Sequence, residues 1–196
     1  MNNLNSASYP AAFASIERDA EQIGFDLSSE PLTGMLLRTL AASKPGGRLL
    51  EIGTGVGIGT CWLLDGMDAA STLTTIDQDE RAPAIARNYL GADSRVTFIT
   101  GNAEDFLKQT APASFDLIFA DTFPGKFFLL DQALGLLKAG GIYVIDDLLP
   151  QTTWQEGHQA NVDRLIAELE ARTDVQTLKL NWASGIMVCT KQSIRK

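Results

Sequence analysis

The sequence predicts an α/β fold: a doubly wound, mostly parallel sheet that ends in an antiparallel hairpin. Three observations predict it. Short apolar runs alternate with stretches of helical spacing through most of the chain, which implies parallel strands covered on both faces. One of those runs turns directly into glycines at every second position, Gly53, Gly55, Gly57 and Gly59, the form of a strand-to-helix loop that seats a small molecule. The last two apolar runs are joined by a short polar connector, as in a hairpin. With 196 residues and 45% hydrophobic content the chain has the size of one domain, expected to span 1–196, with helices in 1–45 packing on the core.

Taken in order, the first helix is predicted from about Pro10 to Ile23, buried through Phe13 and Ile16 and closed by Gly24. Ser28 or Ser29 caps a second helix, with Glu30 and Pro31 in its first turn and Leu36, Leu37 and Leu40 along it. Lys44-Pro45-Gly46-Gly47 breaks that helix and leads into the strand Arg48 to Ile52. A helix follows Gly57. Then come a strand at Thr72 to Ile76, a helix at Glu80 to Leu90, a strand at Val96 to Thr100 and a short helix at Glu104 to Gln109. The strand Phe115 to Ala120, a helix near Phe127 to Lys138, a turn at Gly140-Gly141 and the strand Ile142 to Ile145 complete the alternation. The periodicity lapses from Leu148 to Trp154, a candidate active-site loop beyond a strand's carboxyl end. A helix from about Gln159 to Arg172 and two strands, Val175 to Leu180 and Ile186 to Thr190, finish the fold. No internal repeat, low-complexity tract or linker is present.

Charge and composition narrow the function. A net charge of -8 and a pI near 4.6 disfavour a broad nucleic-acid or anionic-membrane surface, so a small-molecule acceptor is expected. Cys61 and Cys189 lie far apart in apolar segments and read as buried thiols of a reducing compartment. The start, Met1 to Ser6, has no basic-then-apolar leader and no stretch is long enough to span a bilayer, so a cytoplasmic location is expected. A homodimer stays open.

The glycine spacing selects the ligand. A dinucleotide fingerprint would need its third glycine at Ile58, and no Gly-Lys-Ser or Gly-Lys-Thr follows for a phosphate loop. Glu51-Ile52-Gly53-Thr54-Gly55-Val56-Gly57 resembles instead the first motif of class I methyltransferases that use S-adenosylmethionine (SAM). The alternative is a turn whose glycines serve packing alone. The order of elements, including the terminal hairpin, resembles that fold over nearly the whole chain.

An acid that closes a parallel strand faces the ligand crevice. Asp77 lies about 20 residues past the glycine loop, where a ribose-binding acid is expected; as a turn residue it would compete with Asp79. The resemblance implies cofactor contacts at Glu51, Gly53, Thr54, Gly55, Asp77, Gln78, Asn102, Ala103, Glu104 and Asp121, with Glu51 facing the cofactor's ammonium and 102–104 near adenine. A Ser of the family that holds the cofactor carboxylate is replaced by Gly59, leaving Thr60 as a substitute. Asn102 could equally cap the following helix, and Glu51 could be a buried acid bonded to loop amides.

Phe115 to Asp121 and Gly140 to Asp147 resemble the corresponding segments of the cation-dependent O-methyltransferases, the catechol and caffeoyl-CoA group. That resemblance implies a metal site of Asp121, Asp146 and Asp147 for Mg²⁺, Mn²⁺ or Ca²⁺, and crowded carboxylates favour such a hard cation. Asp147 stands where the family has Asn. The family's Asp-x-x-Lys reads Asp121-Thr122-Phe123-Pro124 here, so Lys126, two places late, is the candidate base beside Asp121; otherwise it is an exposed Lys at a helix start. Trp154 either covers an aromatic acceptor or packs, and nothing marks the sole histidine, His158, as catalytic. The expected activity is SAM-dependent O-methylation of a small hydroxylated acceptor, a phenol included. Rivals are a metal-independent N- or C-methyltransferase and a SAM-binding module without turnover.

Overall fold

A computed structural model describes residues 9–152 and 154–193. Met1 to Ser6 and Thr153 of the aperiodic loop lie outside the described residues. Five strands, β1 (Arg48–Ile52), β2 (Thr72–Asp77), β3 (Val96–Thr100), β4 (Phe115–Ala120) and β5 (Leu137–Ile145), run parallel, and β6 (Val175–Leu180) and β7 (Ile186–Lys191) form the terminal hairpin. The sheet order is β3-β2-β1-β4-β5-β7-β6, with β7 antiparallel to β5. This is the doubly wound sheet with a closing hairpin that the alternation predicts.

Neighbouring residues on one strand feed opposite cores, as a side-chain period of two requires. Leu50 and Ile118 face the helices α5 (Ala103–Gln109), α6 (Leu130–Gly135) and α7 (His158–Ala171), through Leu107, Leu134 and Leu165. Leu49 and Leu117 face α1 (Phe13–Gln22), α2 (Pro31–Ala42), α3 (Ile58–Gly66) and α4 (Arg81–Leu90), through Ile16, Leu37 and Trp62. Each fully buried Leu or Ile contributes about 1.5–3 kcal/mol, so the two layers hold the strands from both sides. Helices α2 and α3 cross closely because position 34 is glycine; a Cβ there would collide with the Trp62 ring. The N-terminal helices are thus part of the core. Cys61 and Cys189 are buried, and loss of solvent pushes both thiols up to about 12, so they are inert. Among the described residues no helix is long and apolar enough to cross a membrane.

Several boundaries differ from the sequence expectation. Helix α1 starts at Phe13 rather than near Pro10, without a side-chain cap. Glu30, not Ser28 or Ser29, is the N-cap residue of α2, because the Ser29 hydroxyl is used elsewhere. The helix expected over Phe127 to Lys138 is only Leu130–Gly135, and β5 already begins at Leu137. Tertiary contacts override local propensity at both ends. Lys138 turns away to pair with Asp116 at 2.6 Å, and the segment before α6 is held as a tight turn by the Tyr143 hydroxyl, which donates to the Gly125 carbonyl at 2.8 Å. Gly140-Gly141 consequently lies inside β5, beside an irregularity in its pairing with β4.

Register sets the functional rim. Gly53 N–H donates to Ile76 O and Asp121 N–H to Ile52 O, both at 2.9 Å, so the residues that leave β1, β2 and β4 are neighbours. Ala120 pairs with Ile145, which puts Asp121 and Asp146 side by side.

Candidate active site

One half of the rim is built from β1 and β2. Glu51, only 1% exposed, accepts from the Thr60 hydroxyl and, at 2.6 Å, from the Thr75 hydroxyl, both on the same carboxylate oxygen. Thr54 and Thr75 hydroxyls meet at 2.6 Å. Burial pushes the Glu51 carboxyl up to about 7, the threonine bonds hold it down and the charge of Asp77 adds to the rise. The Asp77 carboxylate accepts Gly55 N–H on one oxygen and Asp79 N–H on the other, each at 2.9 Å, which ties β2 to the glycine loop. Asp79 accepts Arg81 N–H at 2.8 Å and so takes the helix-start role.

These residues enclose a cavity of about 190 Å³ lined by Glu51, Gly53, Thr54, Gly55, Gly59, Asp77 and Asp121. Its floor needs glycine. Gly53 has φ +102°, and a Cβ there would lie 2.7 Å from the Asp121 carbonyl oxygen; a Cβ at Gly59 would collide with Glu51 Oε1. A second cavity of about 360 Å³ adjoins it, lined by Gln78, Asn102, Ala103, Glu104 and Phe123 as well as Gly53 and Asp77. Together they form an elongated bed, polar at the Glu51 end. Two expected residues have other uses. Thr60 spends its hydroxyl on Glu51 and is absent from the cavity lining, and Asn102 caps α5 by accepting Glu104 N–H at 2.7 Å while also lining the second cavity.

The other half lies beyond β4 and β5. Asp121, Asp146 and Asp147 line one cavity of about 270 Å³ with Leu27, Ser28, Ser29, Gln151 and Ser184. Ser29 Oγ donates to Asp121 at 3.1 Å, and one oxygen of Asp146 accepts both the Ser184 hydroxyl and, at 2.8 Å, the N–H of Asp147. Burial, then the charge of Asp146, raises the Asp121 carboxyl; burial, then Asp147, pushes Asp146 up to about 6. Among the described residues no three His, Cys, Asp or Glu side chains stand where they could share one metal ion, and one oxygen of Asp121 and one of Asp146 each accept a serine hydroxyl.

Lys126 is buried, 5% exposed, rather than standing free at a helix start. His158, which nothing in the sequence marks, sits in an aromatic group: its ring lies 4.4 Å from Trp154, 5.1 Å from Phe127 and 5.8 Å from Phe123. Burial and the Lys126 charge lower its pKa, favouring neutral imidazole, and its buried Nε2 has no hydrogen-bond partner among the described residues. The sequence also gives no sign of Phe25, Leu27, Ser29 or Ser184. Phe25 approaches the glycine loop so closely that a Cβ on Gly55 would lie 3.2 Å from its ring.

The model of a methyltransferase domain matches residues 50–148, the stretch from β1 through the two acids after β5. The chain belongs to the methyltransferase-domain family. A Mycolicibacterium smegmatis protein, by name a candidate O-methyltransferase, is 33% identical over 145 residues, covering 71% of this chain and 69% of that one. A similarly named Mycobacterium tuberculosis protein is 36% identical over 120 residues, 59% of this chain and 54% of its own length, so the match spans about half of that relative. Among solved structures, a Corynebacterium glutamicum protein is 27% identical with a TM-score of 0.79, covering 96% of this methyltransferase domain and 93% of that chain. An O-methyltransferase of tomaymycin synthesis from Streptomyces achromogenes, solved with SAM, is 24% identical with a TM-score of 0.80 over 96% and 94% of the two chains and supports the fold.

Proposed function

We propose that this methyltransferase domain transfers the methyl group of SAM to a hydroxyl oxygen of a small acceptor, a phenolic one included. One observation carries the reading: the glycine-floored cavity and the acidic cavity are both lined by Asp121 and by Leu27, Ser28 and Ser29, so a donor bed and an acceptor bed meet at one carboxylate. The names of the Mycolicibacterium and Mycobacterium relatives point to the same reaction type. SAM supplies an electrophilic methyl on a positively charged sulfur.

The chain's own groups do the rest. Glu51 stands at the buried end of the donor bed, where a carboxylate would face an ammonium, and Asp77 offers its remaining lone pairs to a diol. Gly53 and Gly59 let the bed come close to the backbone. Asp121 lies between the beds and favours a cationic centre there, while Trp154 offers an apolar face to an aromatic acceptor. The proton leaves the acceptor oxygen toward the carboxylates of the acidic cavity, of which Asp147 is the more exposed of the adjacent pair. The reading takes no step through a divalent cation, because among the described residues no three such side chains stand where they could share one.

The test pairs calorimetry with turnover. SAM and its demethylated product should bind and NAD should not. Methyl-labelled SAM should label hydroxylated acceptors with and without chelator. Binding of NAD in place of SAM would sink the cofactor assignment, and tight SAM binding with no demethylated product across a broad acceptor panel would favour a binding module.

A further inference from the structure

We infer that His158 is a positioning residue that joins the two halves of the rim by holding Phe123 and Trp154 in one aromatic wall. The inference rests on the methyl-transfer reading of those halves, but its evidence is ring geometry. His158 opens α7 after Gly157, which adopts φ +83°, and its backbone N–H donates to Gln155 O at 3.1 Å. Val162, Leu165 and Leu169, the buried residues of that helix, share its stripe, so the helix aims the His158 ring inward. Three rings meet it there. Phe127, which packs on the core between the sheet and α5, α6 and α7, stands edge-on at 5.1 Å and 89°. Trp154 lies against it at 4.4 Å and 33°, its one ring contact among the described residues. Phe123 is 5.8 Å away and also touches Phe127 at 5.4 Å.

Each outer ring belongs to a different half. Phe123, 54% exposed, lines the second cavity of the donor bed with Asp77 and Gln78. Trp154 closes the turn that carries Gln151 and Thr152 along the acidic cavity, its N–H donating to Gln151 O at 3.2 Å. The Nε2 of His158 is buried with no hydrogen-bond partner among the described residues, so ring faces and edges hold the imidazole in place. Closely packed side chains pass a displacement on to their neighbours. A planar ligand seated in the second cavity bears on Phe123, and His158 carries the shift to Trp154. The face offered to an aromatic acceptor is thus placed by a residue that lines none of the three cavities.

The chain has one histidine, so NMR follows the His158 imidazole directly, and Trp154→Phe identifies the Trp154 indole signal among the three tryptophans. Saturating demethylated cofactor should shift both signals in the wild type. His158→Ala should largely lose the Trp154 shift, and His158→Phe, which keeps a ring, should retain it. In turnover with an aromatic hydroxylated acceptor, His158→Ala should raise KM by about 2- to 10-fold while kcat and SAM affinity stay near wild type, and His158→Phe should restore KM. Calorimetric binding of the demethylated cofactor reports whether each variant is folded. A saturated wild type with unshifted His158 and Trp154 signals would overturn the inference, whether or not the variants fold. So would a folded His158→Ala whose Trp154 responds as in the wild type. Failure of the methyl-transfer reading would appear separately, as absent cofactor binding or turnover in the wild type.

Discussion

The two halves of the rim handle polar groups in opposite ways. On the donor side, Asp77 accepts two backbone N–H groups and Glu51 two threonine hydroxyls, all from the neighbouring strands, loop and helix of the same βαβ unit. In the proposed acceptor half, burial and then a neighbouring carboxylate, Asp146 for Asp121 and Asp147 for Asp146, raise both acids, which are bonded by serines from distant parts of the chain, Ser29 before α2 and Ser184 before β7. A site assembled by local backbone is rigid before ligand arrives. One assembled by like charges and remote hydroxyls stores unfavourable electrostatics that a suitable ligand can relieve. On the proposed reading, the first half holds the cofactor and the second selects the acceptor.

The sharpest way to break this comparison is through Glu51, the one donor-side group under electrostatic load. Its carboxyl, near 7 in the fold and near 4.5 when unfolded, holds a proton in the native state that the unfolded chain gives up between those values. Its contribution to stability is therefore fully present below about pH 4.5 and lost as pH rises through 7, a change of about 3 kcal/mol in the cofactor-free protein. Glu51→Gln should lack this part of the pH dependence and be the more stable protein at pH 8. Denaturant melts of both proteins at pH 5 and pH 8 measure it, and parallel profiles would mean Glu51 is not buried as a neutral acid.

Gly53→Ala comes next. At φ +102° with the Asp121 carbonyl 2.7 Å from the new Cβ, it should cost roughly 100-fold in SAM affinity, from strain and from displacement of the strand end. Asp77→Ala should weaken SAM by about 1.5–3 kcal/mol, since both the ribose acceptor and the two loop bonds go. Asp77→Asn keeps one acceptor oxygen and should recover part of the loss in the same calorimetric titration. An unaltered affinity in either alanine variant would leave the donor half without the rigidity assigned to it.

The smallest effect belongs to the acceptor side. Trp154→Ala should raise the KM of an aromatic acceptor by about 2- to 13-fold, the equivalent of ~0.5–1.5 kcal/mol, while SAM affinity stays at the wild-type value. Steady-state kinetics with an aromatic and an aliphatic hydroxylated acceptor separates the two halves: equal effects on both acceptors would remove the aromatic wall from recognition.

What the sequence determined by itself is local. The apolar alternation, the glycines after Ile52 and the acids at strand ends give the sheet, the loop and the placement of Glu51, Asp77, Asp121 and Asp146 at one rim, because strand period, turn chemistry and parallel crossover connections act over short stretches of chain. Asn102 was legible as a cap for the same reason. The tertiary structure alone decided how those acids are satisfied. Ser29 reaches Asp121 across 92 positions and Ser184 reaches Asp146 across 38, separations over which no spacing rule operates. Likewise Tyr143, met from sequence only as an apolar strand residue, shortens the helix after Asp121 and drives Lys126 inward. Charge balance in the acceptor half is a property of which side chains share a low-dielectric space, and that is fixed only when the sheet and its loops have closed around them.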